Sequence, residues 1–131
     1  MPSYIRIETS GEATIESFAA MWDDILASTH WRPGLTVLMD NRNLKGFKDS
    51  DAFTTAAIDY FSKNALRLGR SCIATITTEP ANFKYARQFQ YGIRLHGSNV
   101  VLQVFGSETQ AVDWLNHYAS LRGNDDLKVT A

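Results

Sequence analysis

Two hydrophobic periods alternate along this chain, and that alternation restricts its fold more than any single motif does. In "YIRIET", Tyr4 to Thr9, apolar and polar residues take turns, the two-residue period of a half-buried strand, and Gly11 then allows a turn. In "ATIESFAAMWDDILAS" the apolar residues Ile15, Phe18, Met21, Trp22 and Ile25 recur at three- and four-residue spacing, with Thr14 at the N-cap position. This is an amphipathic helix, and Pro33 and Gly34 end its continuation. "LTVLMD", Leu35 to Asp40, is a short β-rich apolar run, as expected of a strand covered on both faces at the centre of a sheet. The remainder repeats the pattern. A helix capped by Asp49 or Ser50 runs toward Gly69, a strand spans Ser71 to Thr78, and a helix leads to a stop at Gly97. A further strand lies in "NVVLQVFG", a helix opens on Ser107, and a frayed tail covers 123–131.

Strands alternating with helices predict parallel pairings joined by helical crossovers, hence an α/β fold in which helices pack on a mixed, mostly parallel sheet. The first strand could pair in either direction. At 131 residues the chain suits one domain, 1–131, with no linker or repeat to divide it.

Composition narrows the function classes. A net charge of −1 supplies no basic field for a phosphate backbone, so no nucleic-acid partner is expected. No run approaches the roughly 20 apolar residues of a membrane span, and "MPSYIRIETS" lacks a basic segment followed by an apolar one, so a cytoplasmic location is expected. The single cysteine, Cys72, sits in the apolar run "SCIATIT", where a small buried hydrophobe is the expected role. His30, His96 and His117 lack metal-ligand spacing, and neither a phosphate loop nor a nucleophile elbow is present. No cofactor, metal or catalytic residue is therefore assigned.

The aromatic residues at helical spacing, among them Trp22, Phe53, Tyr60, Phe61, Phe83 and Phe89, read as the face packed on the sheet. Trp31, beside Arg32 and Pro33, stands outside any periodic element and is a candidate surface contact. Lys84, Arg87 and Arg94 can share one helix face, either as a solvated basic surface or as a dock for an anion or acidic partner.

The strand "TVLMDNR" running through a short polar connection to "DSDAF", and the ending "VVLQVFGSETQAVDWL", resemble the SpoIIAA-like group of the STAS superfamily over nearly the whole chain. The resemblance implies a mixed sheet with helices packed on it and a non-enzymatic regulatory or protein-interaction module. Bacterial anti-sigma-factor antagonists of this kind are switched by phosphorylation of a serine where a strand passes into a helix. Carried onto this chain, the strand-end aspartate is Asp40, and the D-S-[ST]-G switch falls on Asp49, Ser50, Asp51 and Ala52. Asp51 then occupies the phosphorylated position and Ala52 replaces the glycine, which implies an altered switch, while Ser50 keeps a hydroxyl one residue earlier. An anion at that helix start would be stabilised by unpaired N–H groups, and Asp51 equally well serves as a plain helix cap.

The candidate binding residues are thus Asp40, Arg42, Ser50 and Asp51, with Phe47 as an exposed hydrophobic contact and Arg87 and Arg94 on the basic helix. The comparison of this group with lipid-binding Sec14-type domains implies an alternative, a pocket for a small apolar or lipid-like ligand lined by residues such as Phe83, Phe89 and Tyr60. Either a protein partner or a small apolar ligand is expected, and an exposed helix face leaves room for a homodimer.

Overall fold

A computed structural model describes residues 4–96 and 98–118. The expected helix stop at Gly97 and the expected tail of 123–131 lie outside the described residues. Strand β1 (Ile5–Ala13) leads into helix α1 (Ile15–Ala27), β2 (Thr36–Phe47), α2 (Ser50–Lys63) and a short α3 (Ala65–Leu68). Then come β3 (Cys72–Ile76), α4 (Pro80–Leu95), β4 (Val101–Phe105) and a last helix, α5, over 108–118. The strands lie in the order β1-β2-β3-β4 and every pairing is parallel. The α/β architecture is the expected one, and β1, open to either direction from sequence, pairs parallel to β2.

The layering follows from this order. Connections of one hand that each advance by one strand carry every crossover helix to the same face. Trp22 and Leu26 of α1, Phe61 of α2 and Ile93 of α4 accordingly form one core with Val37, Met39, Ile73 and Leu102 of the sheet. Helix α5, which follows the last described strand, covers the opposite face, where Ala111 and Leu115 pack on Leu38, Ala74 and Ile76. Alternate residues of β2 thus enter two different cores, and the run Thr36 to Asp40 is buried throughout.

Local signals account for most element ends. Thr14 caps α1 through a reciprocal box with Ser17: the Ser17 N–H donates to Thr14 Oγ1, and the Thr14 N–H to Ser17 Oγ, each at 3.1 Å. Ser107 caps α5 by accepting from the Gln110 N–H at 3.2 Å. Asp49 is the N-cap residue of α2, but it adopts a left-handed backbone (φ 49°, ψ 63°) and its side chain makes no capping bond. The helix expected to run unbroken toward Gly69 is interrupted at Asn64, whose side-chain amide donates to the Tyr60 carbonyl at 2.9 Å and diverts the backbone. Trp31 is no free surface contact: its indole N–H donates to the Arg67 carbonyl at 2.8 Å and its ring meets Trp22 edge to face.

The largest departure from the sequence reading is the stretch 41–47. The polar connection expected there is strand: β2 continues to Phe47 and pairs with Ser10 to Ala13, and Gly11, expected in a turn, lies inside β1. Asn, Lys and Gly are poor strand formers, and here pairing along β1 overrides their preference. β2 carries two extra residues along this ribbon, one between the Glu8–Asp40 and Ser10–Asn43 pairs and one, Lys45, between the Gly11–Leu44 and Glu12–Gly46 pairs. Each bulge reverses the alternation of side chains and increases the twist. Met39, Asn41, Leu44 and Phe47, at steps of two, three and three, consequently reach the side of α1, α2 and α4.

β3 ends at Ile76, so one edge of this ribbon lacks a strand partner, and α4 supplies a substitute: buried Asn82 donates its side-chain amide to the Leu44 carbonyl at 3.1 Å. Asn82→Ala would leave that carbonyl buried and unpaired. A loss of about 1–2 kcal/mol is expected in urea unfolding, and an unchanged midpoint would contradict it.

Candidate functional site

Two groupings of side chains stand out, on opposite faces of the sheet. The first is ionic. Asp40, on the α5 side of β2, is 7% exposed, a burial that a carboxylate tolerates only with charge and hydrogen-bond partners. Arg42, two residues on and on the same face, supplies three donors: its Nε at 2.9 Å and backbone N–H at 3.1 Å to Oδ1, and its Nη2 at 2.8 Å to Oδ2. Arg6 of β1 adds Nη2 at 3.1 Å to Oδ2. Both guanidinium groups also donate to Glu108 Oε1 at the start of α5, at 3.0 Å from Arg6 and 2.9 Å from Arg42.

The hydrogen bond from Arg42 holds the Asp40 carboxyl below its ordinary range against the opposing effect of burial, and the bond from Arg6 does the same for Glu108. Glu8 also accepts from Arg6 Nε at 3.0 Å, so two positive groups face three negative ones and the cluster has no surplus positive charge with which to attract an anion. Its geometry ties β1, β2 and α5 together.

The second grouping is a cavity of about 250 Å³ on the other face, between the β1–β2 ribbon and helices α1, α2 and α4. The sheet contributes Met39, Ile73, Thr75 and Leu102, and the helices contribute Phe18 and Met21 of α1, Phe53 and Ala57 of α2, and Ala86 and Phe89 of α4. The aromatic walls hold one another in place: Phe18 meets Phe53 at 5.4 Å and Phe89 at 6.2 Å, both edge to face, and Phe47 packs on Phe53 at 5.0 Å and on Tyr85 at 5.8 Å. The side chain that α4 lacks at Gly92 sets how closely it approaches α2. A Cβ there would fall 2.9 Å from Ile58 Cγ1, inside normal contact.

The residues singled out from sequence distribute between these places. Asp40 and Arg42 belong to the ionic cluster, whereas Asn41 between them lines the cavity. Phe47, expected to be exposed, is half-buried and forms cavity wall. Ser50 is half-buried and Asp51 exposed at the start of α2, and from Asp40 to Phe47 the strand covers roughly 20 Å, so Asp40 and Ser50 do not share a site. Of the three aromatics expected in a pocket, Phe89 lines the cavity. Phe83 and Tyr60 pack on the core nearby, and Tyr60 donates its hydroxyl to Asp23 Oδ1 at 2.6 Å.

Arg87 and Arg94 are exposed on α4, where Arg87 donates to the Tyr91 hydroxyl at 2.8 Å and lies 5.5 Å from its ring centre. Arg6 and Glu108 were not legible as partners of Asp40, since sequence distance hid them. The outward alternation of Arg6 beside Ile5 and Ile7 was the only signal. Among the described residues, no group of three or more His, Cys, Asp or Glu is placed to hold a metal ion, and no helix is long and apolar enough to cross a membrane.

Comparison with known proteins reaches this fold through structure rather than sequence. No family model and no curated protein matches the chain. Among solved structures, it is similar to an uncharacterised protein of the DUF3478 family with a SpoIIAA-like fold from Shewanella loihica, with a TM-score of 0.55 at 18% identity. The match covers 86% of this chain and 83% of that one. By its all-parallel four-stranded sheet, its helix placement and this likeness, the chain has a SpoIIAA-like fold.

Proposed function

We propose that this protein is a non-enzymatic binding module of SpoIIAA-like type whose ligand is a small apolar molecule held between the β1–β2 ribbon and helices α1, α2 and α4. The observation that carries the reading is the cavity itself, about 250 Å³ lined mainly by aromatic and aliphatic side chains. Concave apolar sites with a few placed polar groups are the usual form of a small-molecule site, and this one lies just below the range of roughly 300–1,000 Å³ typical for drug-sized ligands. A small ligand is what such a volume accommodates.

The regulatory side of the reading is supported by Asp51, exposed in the first turn of α2. It carries a fixed negative charge at the position where the resemblance implies a phosphorylated residue. Phe53 and Thr54 of the same first turns line the cavity, so a ligand there touches the helix whose start is the interaction surface in this reading.

The test is titration with phenylnaphthylamine, a neutral apolar dye that fluoresces on leaving water. Saturable binding at micromolar dye is expected for the natural protein. Ala57→Leu and Ala86→Leu, which fill the cavity from α2 and α4, should each weaken binding at least about tenfold with the fold retained by circular dichroism. No saturable binding, or equal binding by both filled variants, would overturn the reading.

A further inference from the structure

The cavity also carries information about the polarity of what it holds. Its lining contains no Lys, Arg or His, and its two acids, Glu8 and Glu12, both come from β1. The Glu8 carboxylate is already occupied by Arg6 Nε at 3.0 Å. A carboxylate or phosphate entering here would leave water and find no cation, a loss that an apolar wall cannot offset. An uncharged group meets no such barrier.

Several of the neutral polar side chains around the cavity are committed elsewhere. Thr9 donates to Asn41 Oδ1 at 2.6 Å, Thr54 to the Ser50 carbonyl at 2.8 Å, and Ser17 belongs to the cap of α1. Thr75 differs. It lies on β3 two residues after Ile73, on the cavity side of the sheet, is 6% exposed, and its hydroxyl has no protein partner among the described residues. β-branched Val would fill the same strand position with no polar atom, so the hydroxyl is the one feature of Thr75 that strand packing does not require. Its place among Met39, Ile73 and Leu102 puts one donor and one acceptor on the sheet floor of the cavity, which Trp22, with a buried indole N–H that has no partner among the described residues, also lines.

We propose that the ligand is uncharged and carries one hydroxyl or carbonyl group, which hydrogen-bonds to the Thr75 hydroxyl while its apolar body lies among the phenylalanines. This rests on the cavity being the binding site, as proposed above.

The experiment displaces phenylnaphthylamine with two ligands of equal chain length, octanol and octanoate, at pH 7.5. Octanol is expected to displace the dye at a concentration at least about tenfold lower than octanoate. Thr75→Val should weaken octanol by about three- to tenfold and leave the dye unaffected, and Thr75→Ser, which keeps the hydroxyl, should restore octanol. Equal displacement by octanoate, or octanol binding unchanged in Thr75→Val, would overturn this proposal while leaving the apolar site standing. If the dye itself does not bind, the site reading fails first, so the two failures are distinguishable.

Discussion

Replacing Asp40 with Ala is expected to destabilise the protein by about 2–3 kcal/mol at pH 7, roughly 10 °C in thermal midpoint for a domain of this size. The Asp40 side chain is 8% exposed and accepts bonds from both Arg6 and Arg42, whose side chains would keep only the more exposed Glu108 as a shared anion. Removing one member of a fully buried ion pair costs about 3–5 kcal/mol. The lower figure applies here because the two arginine side chains are 34% and 39% exposed and water can reach them.

The same cluster sets an acid limit on stability. Asp40 and Glu108 are both held below their ordinary values of 3.8 and 4.5, so near those values the unfolded chain binds more protons than the folded one. Stability therefore falls with pH there: the contribution is complete above about pH 5 and is lost as pH drops below 4.5 toward the lowered folded values. Urea midpoints between pH 5 and pH 3 should decline steeply in the natural protein and less steeply in Asp40→Asn. Parallel slopes would show that the cluster does not control the transition.

The second large effect is at Gly69. Its backbone, at φ 62° and ψ −140°, lies in a region nearly restricted to glycine, and an added Cβ would stand 2.7 Å from Pro33 Cβ and 3.2 Å from the Gly34 nitrogen. The proline ring is rigid, so the strain cannot be relieved by a rotamer change. The position also holds the end of α3: the Gly69 N–H donates to the Ala65 carbonyl at 2.8 Å, and the Gly34 N–H to the Leu68 carbonyl at 3.0 Å. Gly69→Ala should cost about 3 kcal/mol, combining a disfavoured backbone with overpacking. Gly106→Ala, where nothing lies within 4 Å of the new Cβ, is the control and should change stability by less than about 0.5 kcal/mol. Equal effects at the two positions would contradict the steric account.

What the sequence made legible was whatever depends on neighbours along the chain. The period of "FAAMW" marked α1, Thr14 and Ser107 marked helix starts, and the unbroken apolar run before Asp40 marked a strand covered on both faces. Where pairing between distant segments decides the outcome, local preference pointed elsewhere. Asn41 to Phe47 reads as a connection because its residues prefer turns, yet β1 lies alongside and makes it strand. The cavity was invisible for a related reason: each wall residue looked like ordinary core, and only bulges in β2, unpredictable from composition, bring Asn41, Leu44 and Phe47 to one side.

The simple order of the sheet bears on how the protein is made. Ile5 pairs with Val37, Val37 with Ile73 and Ile73 with Leu102, so each strand finds its partner in the one synthesised roughly thirty residues earlier and none waits for a later strand to be inserted between. Assembly can thus keep pace with emergence from the ribosome, from β1 outward. Helix α5 breaks that economy. Leu38, Ala74 and Ile76 remain uncovered until the last helix arrives, so a nascent chain ending before residue 108 presents an adhesive surface to chaperones and to its neighbours.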